Sequence, residues 1–175
     1  MGIDLYLLHW RGAHPLAETV GAFERLQRAG KIRHWGVSNL DAEDMAKLTA
    51  VAGGGACATD QVLYNLGRRG PEWDLLPWCR ERDIPVMAYS PLEQGRLAGN
   101  AVLGAIAGKR GSGPLQIALA WVLSQPGVLA IPKSSRLAHV DANVAALDIE
   151  LSPGELAEID RAFPPPKEPQ SLAML

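Results

Sequence analysis

Polar residues that can do chemistry stand at the ends of apolar runs: His9, Ser38-Asn39, Asn65, Tyr89-Ser90 and Lys133-Ser134-Ser135. If Ile3–Trp10 is a strand, Leu5, Leu7 and His9 share one face, while Asp4, Tyr6 and Leu8 share the other. His9 then ends a row of side chains, where an imidazole can donate a hydrogen bond to a carbonyl and fix its orientation. By residue type alone it could equally be a satisfied histidine at a strand end. Ser38 and Asn39 supply donors and acceptors, but they also suit a turn and a helix cap. Tyr89-Ser90-Pro91-Leu92 is by itself an ordinary strand–turn. Lys133 with two hydroxyls at a helix start suits a dianion through charge, donors and helix dipole together.

Alternating runs must position these groups. Ile3–Trp10, Ile32–Ser38, Asp60–Tyr64, Val86–Ser90 and Val128–Pro132 are nearly continuous apolar runs, as parallel strands covered on both faces should be. Between them lie helical patterns with recognisable ends. Leu16, Val20, Phe23 and Leu26 precede Gly30. Asp41 caps a helix carrying Met45 and Leu48, and Glu72–Arg82 places Leu75, Leu76 and Cys79 on one face. Pro114 starts an apolar helix over Leu115–Ser124, Ser135 opens Leu137–Leu147, and Ser152-Pro153-Gly154-Glu155 is a capping box. Strand and helix repeating at these steps predicts an α/β protein with right-handed crossovers. Both a (β/α)8 barrel and a doubly wound sheet place their sites at strand C-terminal ends. No Gly-x-Gly-x-x-Gly follows a strand, which weighs against the doubly wound alternative.

Composition narrows the class. The 175 residues, 47% hydrophobic and 21% charged, read as one globular domain over 1–175, and a formal net charge of −2 gives no reason to expect nucleic acid or an anionic membrane as partner. Arg68 and Arg69 read as a solvated loop. Cys57 and Cys79 lack metal-site spacing and read as free thiols, so no metal is expected. The opening apolar run is too short to span a bilayer and lacks the features of a signal peptide, which predicts a cytoplasmic protein.

Five ordered motifs, IDLYLLHW (3–10), GKIRHWGVSN (30–39), DQVLYN (60–65), VMAYSPLEQGRL (86–97) and IPKSS (131–135), resemble the second part of the aldo-keto reductase superfamily. The stretch from Trp78 through AFPPP at 162–166 is most similar to bacterial methylglyoxal and diketogluconate reductase-like members. The resemblance implies a (β/α)8 TIM barrel of which this chain supplies strands four to eight, with strands one to three absent. It implies reduction of aldehyde or ketone carbonyls with NADP(H). His9 is then the catalytic histidine, and Trp10, with Arg11 beside it, a substrate wall. Ser38, Asn39 and Gln61 bind the nicotinamide carboxamide, Tyr89 stacks under the ring, and Ser90, Leu92 and Gln94 follow the pyrophosphate. Lys133, Ser134 and Ser135 hold the adenosine 2′-phosphate, with Asn143 at the adenine edge. His139 is a further cofactor-binding candidate, at a position where an arginine stacking on adenine is frequent. The chain also departs from the pattern at Ala142, where an acid is frequent, and Arg136 is a second candidate for the phosphate.

The resemblance also implies what these motifs do not carry. In the family a tyrosine gives the proton, assisted by a lysine and an aspartate that precede the matched part. Tyr6 should point to the helices, Tyr89 is committed to stacking, and Tyr64 has no lysine placed near it. The expectation is an incomplete barrel with open sheet edges, covered by self-association or by the missing N-terminal half. A non-catalytic nucleotide-binding or assembly module is the alternative.

Overall fold

The computed structural model describes residues 2–175. Its five strands, β1 (Ile3–Leu8), β2 (Ile32–Ser38), β3 (Asp60–Leu63), β4 (Val86–Tyr89) and β5 (Val128–Ala130), pair in parallel in the order β1-β2-β3-β4-β5. The order lacks the reversal that defines a doubly wound sheet. The helices are α1 (Leu16–Arg28), α2 (Ala42–Ala50), α3 (Leu75–Arg80), α4 (Ala101–Arg110), α5 (Pro114–Leu123), α6 (Leu137–Ala145) and α7 (Pro153–Ala162).

All five expected strands form, and their alternation sorts the side chains. Trp35, Val37, Val62, Val86 and Ala88 join the core with the helices. Phe23 of α1 stacks on Trp35 at 5.1 Å and meets Tyr6 edge-on at 6.0 Å, which puts Tyr6 on the helix side as its parity requires. Leu5, Leu7 and the strand-end His9 therefore face the other way. Gly36 belongs to that second face: a Cβ there would lie 2.6 Å from the Thr59 carbonyl and 2.8 Å from Leu7 Cδ2, so no side chain fits.

The helix ends follow their capping residues. Asp41 accepts from the Asp44 amide at 2.8 Å, Gly30 is left-handed at φ 65° after α1, and Ser152 and Glu155 form the capping box of α7. Two expectations need correction, and one helix lies where none was expected. The helix expected over 72–82 is only α3, preceded by a 3-10 turn at Gly70–Glu72. Helix α6 begins after Arg136 without a side-chain cap, because the Ser134 hydroxyl accepts from the Arg136 amide instead and Ser135 caps nothing. Helix α4 was not anticipated; Asn100 caps it through the Val102 and Leu103 amides, and left-handed Gly111 ends it.

Arg69 is not a solvated loop residue. Its side chain is 9% exposed, lies 4.8 Å over the Trp121 ring, and pairs with Glu72 and Asp160, while Tyr64 donates to Glu72 at 2.9 Å. This braced group ties the turn after β3 to α7.

The sheet ends are open. Among the described residues β1 and β5 each pair on one side only. A groove of 580 Å³ runs between β1 and α1, lined by Tyr6, Leu8, Phe23 and Leu26. At the other end, Leu137, Val144 and Leu147 of the α6 region are 79%, 60% and 66% exposed, and Leu129 is 44% exposed on the face away from the helices. No helix among the described residues is long and apolar enough to cross a membrane.

One core group makes stability depend on pH. Asp60, the first residue of β3, is fully buried and neither carboxylate oxygen has a hydrogen-bond partner. Burial pushes its pKa up to about 8; the nearby Leu40 and Gln61 amides oppose this without a well-aligned bond, and Asp41 adds to the rise. An acid raised in the folded state holds its proton there after the unfolded chain has lost it. The stabilisation is therefore full below about pH 4 and is lost as pH rises toward 8. Asp60→Asn should raise the melting temperature at about pH 8 much more than at about pH 4–5. Parallel melting-temperature profiles for the two chains across that range would refute this.

Candidate active site

The carboxyl ends of β1 to β4 bring together residues from four separate loops. Asn39, held left-handed at φ 61°, directs Nδ2 to Ser38 Oγ at 3.0 Å and to the His9 carbonyl at 3.4 Å. Its Oδ1 accepts from the Tyr89 hydroxyl at 3.2 Å, and Ser38 Oγ donates to the Gln61 carbonyl at 2.8 Å. His9, Ser38, Asn39, Gln61 and Tyr89 thus form one connected cluster. The His9 ring is exposed and packs on Trp10, itself 44% exposed, at 5.3 Å between centroids. Arg11 is not available to a substrate wall; it pairs with Asp44 of α2. The Leu175 main chain approaches the Tyr89 hydroxyl, while burial pushes that hydroxyl above its usual pKa.

Beyond Tyr89 the chain turns sharply. Ser90, Glu93 and Gln94 all have positive φ, at 47°, 46° and 56°, and Gly95 follows at 85°. Three of the four are not glycine, so the loop holds conformations that an L-residue adopts only when its surroundings impose them. Ser90, Leu92, Gln94 and Gly95 line an open groove of 440 Å³, opposite Lys133 and His139. Lys133, Arg136 and His139 form no ion pair with a carboxylate among the described residues. That leaves one end of the groove with uncompensated positive charge.

Not every expected residue joins this groove. Asn143 borders a separate depression of 270 Å³ with Leu119, Val140 and Val144. Ser135 is exposed, and Ser134 is engaged with the Arg136 main chain. The structure also reveals a buried pair, Asn65 and Glu93, that joins two loops. Glu93, 7% exposed, accepts from Asn65 Nδ2 at 2.7 Å and from Arg96 at 2.8 Å, with Arg68 at 3.3 Å. Burial opposes ionisation of this carboxylate, but Arg96, Asn65 and Arg68 together hold its pKa below the usual value. Nothing in the spacing of Asn65, Arg68 and Glu93 announces this contact.

None of the three tyrosines is placed as a proton donor beside His9. Tyr6 packs on Phe23, Tyr89 is bonded to Asn39, and Tyr64 is fully buried on the helix side. Burial and then the Glu72 charge drive the Tyr64 hydroxyl far above its usual pKa, so it braces the core. The two cysteines are buried free thiols, raised by burial to about 11 for Cys57 and about 12 for Cys79. Among the described residues no group of three or more His, Cys, Asp or Glu side chains could hold a metal ion.

Comparison with known proteins points the same way. Residues 2–163 match the Aldo/keto reductase family. Methylglyoxal reductase YeaE of Escherichia coli (strain K12) is 54% identical over 178 residues, which take in 99% of this chain and 63% of that protein. An NADH-specific methylglyoxal reductase of the same organism is 32% identical, over 86% of this chain and 56% of its own length. A crystal structure of an aldo/keto reductase from Klebsiella pneumoniae in complex with NADP and acetate superposes with a TM-score of 0.98 at 54% identity, covering 99% of this chain and 63% of that one. The chain therefore spans about three-fifths of the length of these relatives.

Proposed function

The chain belongs to the aldo/keto reductase family, and from that premise we propose that it forms one domain: the wall of a (β/α)8 barrel corresponding to strands four to eight. It binds NADP(H) along the carboxyl ends of its strands and presents His9 to a small carbonyl substrate. The unreversed strand order, with one helix-covered face and one partly exposed face, supports a barrel wall. The open edges at β1 and β5 are then surfaces for further barrel strands or for a second copy.

The observation that carries the cofactor reading is continuity. Tyr89, bonded into the cluster of Ser38, Asn39 and Gln61, is followed directly by Ser90, which lines the 440 Å³ groove together with Lys133. These residues fit a dinucleotide in chemical order: amides for a carboxamide, a ring for stacking, a turn of close backbone for a pyrophosphate, and a free cation for a phosphate. Ser134, Ser135 and Asn143 contribute to the adenosine end only after side-chain movement. When bound, the dinucleotide supplies the hydride; the protein's part is to hold the carbonyl at His9 and to exclude alternative orientations.

Titration calorimetry with NADPH tests this directly. Saturable binding at one site per chain is expected, and Tyr89→Ala together with Asn39→Ala should weaken it. A folded chain that releases no heat with millimolar NADPH, and leaves the fluorescence of the nucleotide unchanged, would refute the cofactor reading.

A further inference from the structure

We propose that the buried Asn65–Glu93 pair is the positioning device for the cofactor loop, holding Ser90–Gly95 in a nucleotide-ready shape before any nucleotide arrives. The inference rests on the cofactor reading above and assigns roles to two residues outside the cluster that would touch the ligand.

The loop needs an external constraint. Four of the six residues from Ser90 to Gly95 have positive φ, and its internal backbone bonds are few: Glu93 to Ser90 at 2.9 Å and Gly95 to Leu92 at 2.8 Å. Left-handed conformations at Ser90, Glu93 and Gln94 are unfavourable for L-residues, so the loop persists only if something holds it. Asn65 does so from the end of β3. It is fully buried, and its single amide nitrogen reaches the first two left-handed residues of the loop, at the Ser90 carbonyl (2.9 Å) and at Glu93 Oε2 (2.7 Å). Its own orientation is locked because Oδ1 accepts from the Gly67 amide at 2.8 Å.

Glu93 completes the clamp. Its side chain turns away from the groove into the protein, where Oε1 is met by Arg96 at 2.8 Å and Arg68 at 3.3 Å. The same turn leaves Gln94 and Gly95 on the groove side. A carboxylate is required here because the surrounding side-chain groups, from Asn65, Arg68 and Arg96, are all donors. The neighbouring Gln94 shows the contrast: exposed, it is bonded only to Arg96.

A preformed loop raises affinity by the fraction of chains already in the binding shape. Asn65→Asp sets a second carboxylate against Glu93 and removes the donor to Ser90; Glu93→Gln removes the charge that gathers the two arginines. Each should speed amide hydrogen exchange at residues 90–96 in the nucleotide-free chain and weaken NADPH roughly tenfold or more, as when the competent fraction falls to about a tenth. Adenosine 2′-monophosphate, which would reach only the Lys133 end, should bind as before, whereas general damage to the fold would weaken both ligands. Unchanged exchange in the loop, or unchanged NADPH affinity in both variants, would overturn the proposal while leaving the cofactor reading intact. A wild-type chain without affinity for NADPH would overturn the cofactor reading, and this proposal with it.

Discussion

The 175-residue chain is expected to reduce methylglyoxal with NADPH on the order of 10²–10⁴-fold more slowly than a whole-length relative. Carbonyl reduction needs a proton at the developing alkoxide as well as a hydride at carbon. His9 can orient the carbonyl, but each tyrosine of the chain is engaged elsewhere: Tyr6 against Phe23, Tyr64 in the core with Glu72, Tyr89 with Asn39. The proton would then come from water, and the gain of a positioned acid would be lost. The open flank of β1 beside His9 also leaves the substrate less constrained, which adds to the deficit. The measurement is NADPH oxidation at saturating aldehyde, set beside the same chain joined to the part of the Escherichia coli methylglyoxal reductase that it does not match. Turnover by the 175 residues alone on the common enzyme scale of about 1–10³ s⁻¹ would refute the argument. Tyr89→Phe would then be the first variant to make, since Tyr89 is the one tyrosine whose hydroxyl lies within the site cluster.

Much of this was legible in the residues because the physics is local or periodic. Parallel strands of a covered sheet should be nearly continuously apolar, and the five runs come close to this, with Arg33-His34 and Asp60-Gln61 among the polar interruptions. Strand parity is equally local, which is why the orientation of Tyr6 follows from its distance to His9. Capping obeys short spacing rules, so Asp41 and Ser152 identify their helices. Helix α4 escaped notice because Gly104 and Gly108 dilute its apolar stripe of Leu103, Ile106 and Ala107, although Asn100 and Gly111 mark both its ends. The resemblance of motifs singled out Ser38, Asn39, Gln61 and Tyr89 together, and the folded chain connects them by hydrogen bonds.

What escaped are contacts between loops. Arg69 and Asp160 are 91 residues apart, and Arg68 and Glu93 are 25 apart. No spacing rule links such positions, and adjacent arginines in a glycine-flanked stretch read naturally as solvated. Tyr64, which has no lysine placed near it in sequence, belongs to the face that packs on α5 through Trp121 at 5.6 Å. The adenosine end is the least well foreseen. There Ser134 bonds the Arg136 main chain, and Asn143 lines a separate depression that shares Pro132 with the groove.

That outcome concentrates the phosphate reading on Lys133. Replacing it by alanine should weaken NADPH by about 1.5–3 kcal/mol, roughly 10- to 150-fold, and leave NADH nearly unchanged. The ammonium lines the groove without a carboxylate partner, so its removal exposes no orphaned acid and costs no internal ion pair. A dianionic 2′-phosphate is the one part of NADPH that NADH lacks, and a charge-assisted bond to it is lost only with the former. The relatives make the test informative, since they include both a protein described as NADH-specific and structures with NADP bound. Arg136 supplies the control. If it reads the phosphate instead, Lys133→Ala will weaken the two cofactors equally, and Arg136→Ala will carry the difference. If Lys133 reads the phosphate, raising the salt concentration should weaken NADPH binding more than NADH binding, because an exposed cation–phosphate contact is screened. Equal losses for NADPH and NADH in Lys133→Ala, measured by calorimetry at one ionic strength, would remove Lys133 from the phosphate site.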